Sequence, residues 1–205
     1  MRLIGDKLSS IRGGRLLFAE LSFAVAAGEA LVVTGPNGSG KTSLLRTIAG
    51  LLPAAEGHIR LDGHPGDQPL RERCHYFGHR SAVKSALTVA ENATFWARYL
   101  GGGRATVEPA LDAFGLSGLR DIPAGYLSAG QQRRLGLTRL LLGQRPVWLL
   151  DEPTASLDDA AQAALMAVVN SHLEHNGVVV AATHMPLAMQ NARTLALQSA
   201  AASAA

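Results

Sequence analysis

The run GPNGSGKT, Gly35 to Thr42, sets three glycines, a lysine and a threonine at the spacing G-x-x-x-x-G-K-[ST]. That arrangement binds phosphate. Gly35, Gly38 and Gly40 permit backbone conformations that turn successive N–H groups inward, and Pro36, Asn37 and Ser39 complete the loop. Lys41 brings a point charge for β- and γ-phosphates, and Thr42 offers a hydroxyl to Mg²⁺. A second run, VWLLDEP, ends four apolar residues in two carboxylates. Adjacent carboxylates also occur in solvated turns, but the apolar residues before them read as a buried strand ending beside the phosphate loop. Asp151 is then placed to hold the Mg²⁺ shell, and Glu152 to orient and deprotonate an attacking water. In LSAGQQRR, Leu127 to Arg134, Ser128 reads as a helix cap whose following N–H groups form a second anion site. Capping explains Ser128 but not the small pair Ala129-Gly130.

The elements that must position these residues alternate between strand and helix. ALVVTG leads into the phosphate loop, and KTSLLRTIAG after it reads as a helix closed by a glycine. HIRLDG reads as a strand with a turn. TVAENATFWARYL carries apolar residues at helical spacing, with Thr88 as N-cap and Glu91 three residues on. VEPALDAFGL and SAGQQRRLGLTRLLLG are two more helices. VWLLDEP and GVVVAATH read as parallel strands covered on both faces. His184 ends the last of these runs and by itself reads as a core histidine. The core is therefore α/β, and between about Gly78 and Arg145 strand signals give way to helices. The tail SAAASAA is low-complexity and is expected to fray.

A chain of 205 residues, 47% apolar and 17% charged, suits one globular domain with a full core. The net charge is +3, and the basic residues are scattered, the longest cluster being Arg133-Arg134. We read them as ordinary solvated surface rather than a nucleic-acid footprint. The single cysteine, Cys74, excludes an internal disulfide and is expected to be buried. No apolar run has signal-peptide form or the ~18 residues of a spanning helix. A cytoplasmic location is expected, with any membrane role exercised by docking on another protein.

With these motifs the chain resembles the nucleotide-binding subunits of ABC transporters over nearly its whole length. The shared features are the phosphate loop, LSAGQ as the signature motif, LLDEP, SLD (Ser156 to Asp158) and the histidine of ATH. The signature departs from the usual pattern in having Ala129 where glycine is common. The resemblance implies a P-loop NTPase core of the ABC type with an antiparallel β-subdomain, drawn from LLFAELSFAVAAGE and its neighbours. A helical signature subdomain, residues 79–145, would be inserted in this core, the whole forming one nucleotide-binding domain, 1–205. It also implies ATP and Mg²⁺ as cofactors and a second copy of the chain, the two sandwiching two ATPs. Ser128, Ala129, Gly130 and Gln131 would then face the partner's nucleotide. Lys41, Glu152 and His184 would serve catalysis, His184 at the γ-phosphate, and Asp158 would serve coupling. Where the family stacks an aromatic on adenine, this chain has Arg12. Its guanidinium stacks on the base, or adenine is held loosely and Arg12 is an exposed loop residue.

His79 stands where the family has a metal-contacting glutamine that couples the ATPase to the transporter. By itself it reads as a ligand, a catalyst or a spacer; at this place it is expected to relay nucleotide state to a docked membrane subunit and to tune hydrolysis. GH at this place, RGGR near the start and SAGQQRR together resemble the ATPases of haem export in cytochrome c maturation. That resemblance implies an integral membrane subunit, CcmB, with CcmC and CcmD nearby. ATP hydrolysis at the cytoplasmic face of the bacterial inner membrane would release haem-loaded CcmE. A haem site on the chain's own seven histidines, His75 and His79 included, is disfavoured, because such histidines ordinarily serve packing or phosphate contacts. The alternatives are the ATPase of another small-molecule ABC exporter and a nucleic-acid-associated ABC ATPase. The single phosphate loop and the lack of a long coiled coil weigh against the latter, so no nucleic-acid partner is expected.

Overall fold

In chain order the elements of the computed structural model are β1 (Arg2–Arg12), β2 (Arg15–Ala26), β3 (Ala30–Thr34), α1 (Lys41–Ile48), β4 (Glu56–Asp62), β5 (Cys74–Phe77), α2 (Val89–Tyr99), α3 (Val107–Ala113), α4 (Ala129–Leu137), β6 (Val147–Asp151), α5 (Asp159–Glu174), β7 (Val178–Ala182) and β8 (Ala192–Ala196). The structure describes residues 1–66, 68–103 and 106–198; the tail SAAASAA lies outside them. Two compact units account for the fold. One comprises residues 1–76, 146–153 and from 170 onward; the other comprises 77–145 and 154–169.

The first unit holds both sheets. β2-β1-β4 is antiparallel, and β5-β6-β7-β3-β8 is a five-stranded sheet in which β3 pairs in parallel with β7 and β8, and β6 with β7. The apolar runs expected to be doubly covered are so: all five residues of β6 and all five of β7 are buried. A parallel strand must return through a crossover, and this places helices on its faces. One of them, α1, packs on β6 and β7 through Leu44, Leu45 and Ile48. These join Leu3, Leu8, Phe18 and Val25 of the antiparallel sheet in a single core cluster. Each such side chain contributes about 1.5–3 kcal/mol on burial, so both sheets share the energy that fixes the loop between β3 and α1. Cys74 is half-buried rather than buried: it opens a four-residue strand at the sheet's edge, where one neighbour is missing.

In the second unit α2 packs against α3 and α4. Val89, Ala93 and Ala97, four residues apart, form the buried stripe of α2. Thr88 caps it as expected: its side chain accepts from Glu91 N while Glu91 accepts from Thr88 N. Asn92 is buried and ties down the loop ahead of the helix, accepting from Lys84 N and donating to the carbonyls of Lys84, Leu87 and Thr88. The opposite side of α2 presents aromatic surface. Phe95 and Tyr99 are stacked and exposed. Among the described residues, no helix is long and apolar enough to cross a membrane.

In the first unit His172 of α5 stacks on Trp148 of β6, ring centroids 3.8 Å apart and planes 6° from parallel. Burial pushes this imidazole down to about 4. The folded protein therefore keeps His172 neutral while the unfolded chain protonates it below its ordinary value near 6.5. Stability from this group is present above pH 6.5 and is lost as pH falls toward 4. Urea denaturation at pH 7 and pH 5 should show the wild type losing roughly 2 kcal/mol more than His172→Gln over that interval; equal losses would mean that the stack does not exclude the proton.

Candidate functional site

The carboxyl ends of β3, β6 and β7 stand side by side, since Val33 and Asp151 both pair with Ala182. In open parallel sheets ligands bind in the crevice outside such ends. Three loops leave here: Gly35 to Gly40 after β3, Glu152 after β6, and Thr183-His184 after β7. Glu152 N donates to Ala182 O at 2.8 Å and Thr183 N to Val33 O at 3.3 Å, which laces the three together.

Gly35 has φ 143° and Gly40 φ 100°, both in the region that favours glycine. A Cβ on Gly35 would also clash with Leu197 O. Gly40 is the N-cap of α1 and supplies no capping side chain, and the first turn carries no acidic residue. The helix thus begins with N–H groups and a positive end open to an anion. Lys41 folds back over the loop, its Nζ donating to Gly35 O at 2.6 Å and Pro36 O at 3.1 Å. Gly40 lies against Leu17 and Phe18 of β2. Arg12 is exposed at the tip of the same hairpin, paired with Arg15, about three residues or ~10 Å along the strand from that contact.

Asp151 is 2% exposed at the end of β6. Thr42 Oγ1 donates to its Oδ1 at 3.1 Å, and Tyr76 OH lies 3.2 Å from its Oδ2. Arg46 Nε donates in turn to Tyr76 OH at 3.3 Å. Burial raises the Tyr76 phenol above its usual range, and the bond to Tyr76 raises the Arg46 guanidinium. Thr42 and Asp151 are the residues fit to hold a divalent cation. Among the described residues no group of three or more His, Cys, Asp or Glu side chains is arranged to hold a metal ion; a cation at Thr42 and Asp151 would be completed by phosphate and water. Mg²⁺ prefers this, keeping several waters and few protein ligands. Glu152 adopts φ 46°, a strained setting for a side-chain-bearing residue. His184 Nδ1 lies 3.1 Å from its Oε1, and because a carboxylate only accepts, the imidazole donates.

The second unit assembles its own set. Ser128 caps α4 in a capping box: its Oγ accepts from Gln131 N at 3.2 Å, and Gln131 Oε1 accepts from Ser128 N at 2.8 Å. An anion at this helix end would meet the intervening Ala129 and Gly130. A Cβ on Gly130 would stand 3.2 Å from Ser156 O, so the small residue also serves close packing. Asp158 accepts from Ala161 N at 2.8 Å and caps α5. His79 is exposed and lines a cavity of about 480 Å³ with Arg80, Gln132, Arg133, Ala155 and Ser156.

The pair Arg133-Arg134 is not the solvated surface expected of it. Arg133 is 5% exposed, donates to Gly78 O at 2.8 Å and His79 O at 3.1 Å, and lies 4.2 Å from the centre of the Phe77 ring. Arg134 donates to Phe114 O. Arg133 falls on the buried face of α4 while Arg134 is half-buried, and their backbone partners at Gly78, His79 and Phe114 lie 20 to 55 residues away in the chain. Nearby Arg139 lies over Trp96, and burial, with the Arg133 charge, lowers it to about 10, which leaves it charged at neutral pH. Sequence reasoning missed Arg133 and Tyr76 as supports of the site. The one available signal was a charged or hydroxyl-bearing side chain at a position that helix or strand periodicity turns inward.

The ABC transporter family model matches residues 18–155. The chain is 54% identical to a cytochrome c biogenesis ATP-binding export protein CcmA of Nitrobacter winogradskyi, covering 91% of this chain and 94% of that protein. It is 52% identical to the protein of the same name in Rhizobium meliloti, covering 95% and 97%. Among solved structures it superposes on a putative ABC transporter ATP-binding protein of Pyrococcus furiosus with a TM-score of 0.83 at 22% identity, covering 96% of this chain and 98% of that one. That likeness shows the fold.

Replacing Arg133 by methionine keeps the apolar stem but removes the donor from the carbonyls of Gly78 and His79. The cost should be about 1–3 kcal/mol in chemical denaturation, and Arg133→Lys should not recover it, since an ammonium lacks the planar fork. Full stability in the methionine variant would contradict the clamp.

Proposed function

The chain belongs to the ABC transporter family, an ATPase by that membership, and we propose that it is the ATP-hydrolysing subunit of a haem-export complex serving cytochrome c biogenesis. The observation that carries the ATPase reading is the Thr42 hydroxyl on the buried Asp151 carboxylate, with the Glu152–His184 pair one residue beyond. The identities of 52% and 54% to near-full-length CcmA proteins support the pathway.

Lys41 exchanges its bonds to Gly35 O and Pro36 O for β- and γ-phosphate oxygens, while the loop N–H groups from Gly35 to Thr42 cradle the chain of phosphates. Arg12, at the hairpin tip, is the candidate for the base. Mg²⁺, held through Thr42 and Asp151, would supply charge neutralisation between the β- and γ-phosphates. Glu152 accepts a proton from water as the water oxygen bonds to the γ-phosphorus and the bond to the β–γ bridging oxygen breaks, releasing ADP and phosphate. His184 holds Glu152 in place and lies at the γ-phosphate side. Ser128, Ala129, Gly130 and Gln131, at the open end of α4, serve the nucleotide of a second copy of the chain, so each site is completed in trans. The second unit, residues 79–145 in the main, acts as the signature subdomain.

The membrane attachment follows from the same reading. With no candidate spanning helix among the described residues, the chain would sit at the cytoplasmic face of the inner membrane by docking on CcmB, with CcmC, CcmD and CcmE in the pathway. The exposed Phe95 and Tyr99 on α2 suit that contact, and His79 and Asp158 serve coupling.

Glu152→Gln should bind ATP within a few-fold of the wild type and hydrolyse it at least ~100-fold more slowly, the range of a lost general base; near-normal turnover would remove Glu152 from that role. In cells lacking the chain, haem staining should find c-type cytochromes absent and restored by the wild type but not by Glu152→Gln. Undiminished c-type cytochromes without the chain would refute the haem-export assignment and leave the ATPase standing.

A further inference from the structure

The structure assigns Tyr76 a positioning role: its hydroxyl orients the Asp151 carboxylate for the divalent cation, with Arg46 holding the hydroxyl. This rests on the reading above that Thr42 and Asp151 seat the metal, and it adds a residue that touches neither metal nor nucleotide.

The direction of each bond follows from the groups. A guanidinium has donors only. Arg46 Nε therefore donates to Tyr76 OH, and the phenol proton is directed to Asp151 Oδ2, 3.2 Å away. Thr42 Oγ1 meets Oδ1 of the same carboxylate at 3.1 Å. Each carboxylate oxygen thus has its own donor, and the plane of the carboxylate is set. A carboxylate at a strand end otherwise turns about two bonds, and the entropy of ordering it would be lost when the metal binds. Fixing it beforehand removes that cost. Outer-sphere partners of this kind change metal affinity by about 10–100-fold when removed.

The neighbouring elements hold the three residues at this spacing. Arg46 and Thr42 lie one turn apart on α1, which packs on β6. Tyr76 lies on β5, the strand beside β6 in the sheet, and its ring packs on the core cluster. The ring alone would satisfy the packing against the core cluster. The hydroxyl is what a purely packing role leaves unexplained.

Tyr76→Phe removes the hydroxyl and keeps the ring. Binding of a fluorescent ATP analogue is followed as Mg²⁺ is titrated and again in EDTA. We expect the Mg²⁺ concentration at half-saturation to rise about tenfold, with binding in EDTA unchanged. Arg46→Gln should shift the Mg²⁺ curve in the same direction by a smaller factor. A Tyr76→Phe curve that superposes on the wild type, or an equal weakening in EDTA, would overturn the assignment, the latter by showing a general structural defect. Asp151→Asn serves as the separate control. It should abolish the Mg²⁺ response, and a response left intact there would overturn the metal seat itself rather than the role of Tyr76.

Discussion

A carboxylate buried at the end of a central strand is costly unless hydrogen bonds replace its water. Asp151 imposes that requirement on everything around it. The threonine that follows the phosphate-loop lysine meets one oxygen, and the tyrosine of the neighbouring strand meets the other. These bonds need α1 and β5 within hydrogen-bond reach of β6. That in turn needs the parallel register in which Ala182 pairs with both Val33 and Asp151. The phosphate loop, the candidate base and His184 are then neighbours because their strands are. The antiparallel sheet contributes from the other side, with Leu17 and Phe18 against Gly40.

The helical unit works by a similar economy of anchors. α4 begins with a cap that occupies its own side chains and leaves two small residues at its tip. Two residues past LSAGQ, Arg133 turns inward and takes the carbonyls of Gly78 and His79. The backbone of residue 79 is thereby attached to the signature helix while its imidazole remains exposed. This suits a residue proposed to pass nucleotide state to a docked membrane subunit, although the glutamine common at that place in the family has the longer reach.

What could be read in the sequence was local. GPNGSGKT, the Asp-Glu strand end, the Thr88 and Ser128 caps and the doubly buried strands depend on residues within a few positions of one another, and each stands where the pattern placed it. Contacts between distant residues were not legible: Tyr76 with Asp151 is 75 residues apart and Arg133 with Gly78 is 55. Some elements escaped for reasons of composition. β1 carries Asp6 and Lys7 at a break in register between Gly5 and Leu8, which interrupts the strand pattern. β5 is four residues long. α5 buries Ala161, Leu165, Val169 and Leu173 at four-residue spacing, but alanines around the helix dilute that stripe. The same locality explains why Arg133-Arg134 read as surface.

We propose that the ATP site of this chain is completed in trans by a second copy of itself. Specific ATPase activity measured across a range of protein concentration, at saturating ATP and Mg²⁺, tests it most directly. Activity per chain should rise with concentration and level off as copies pair; activity per chain that stays constant down to the lowest concentration, in a protein that remains monomeric there, would refute completion by a second copy.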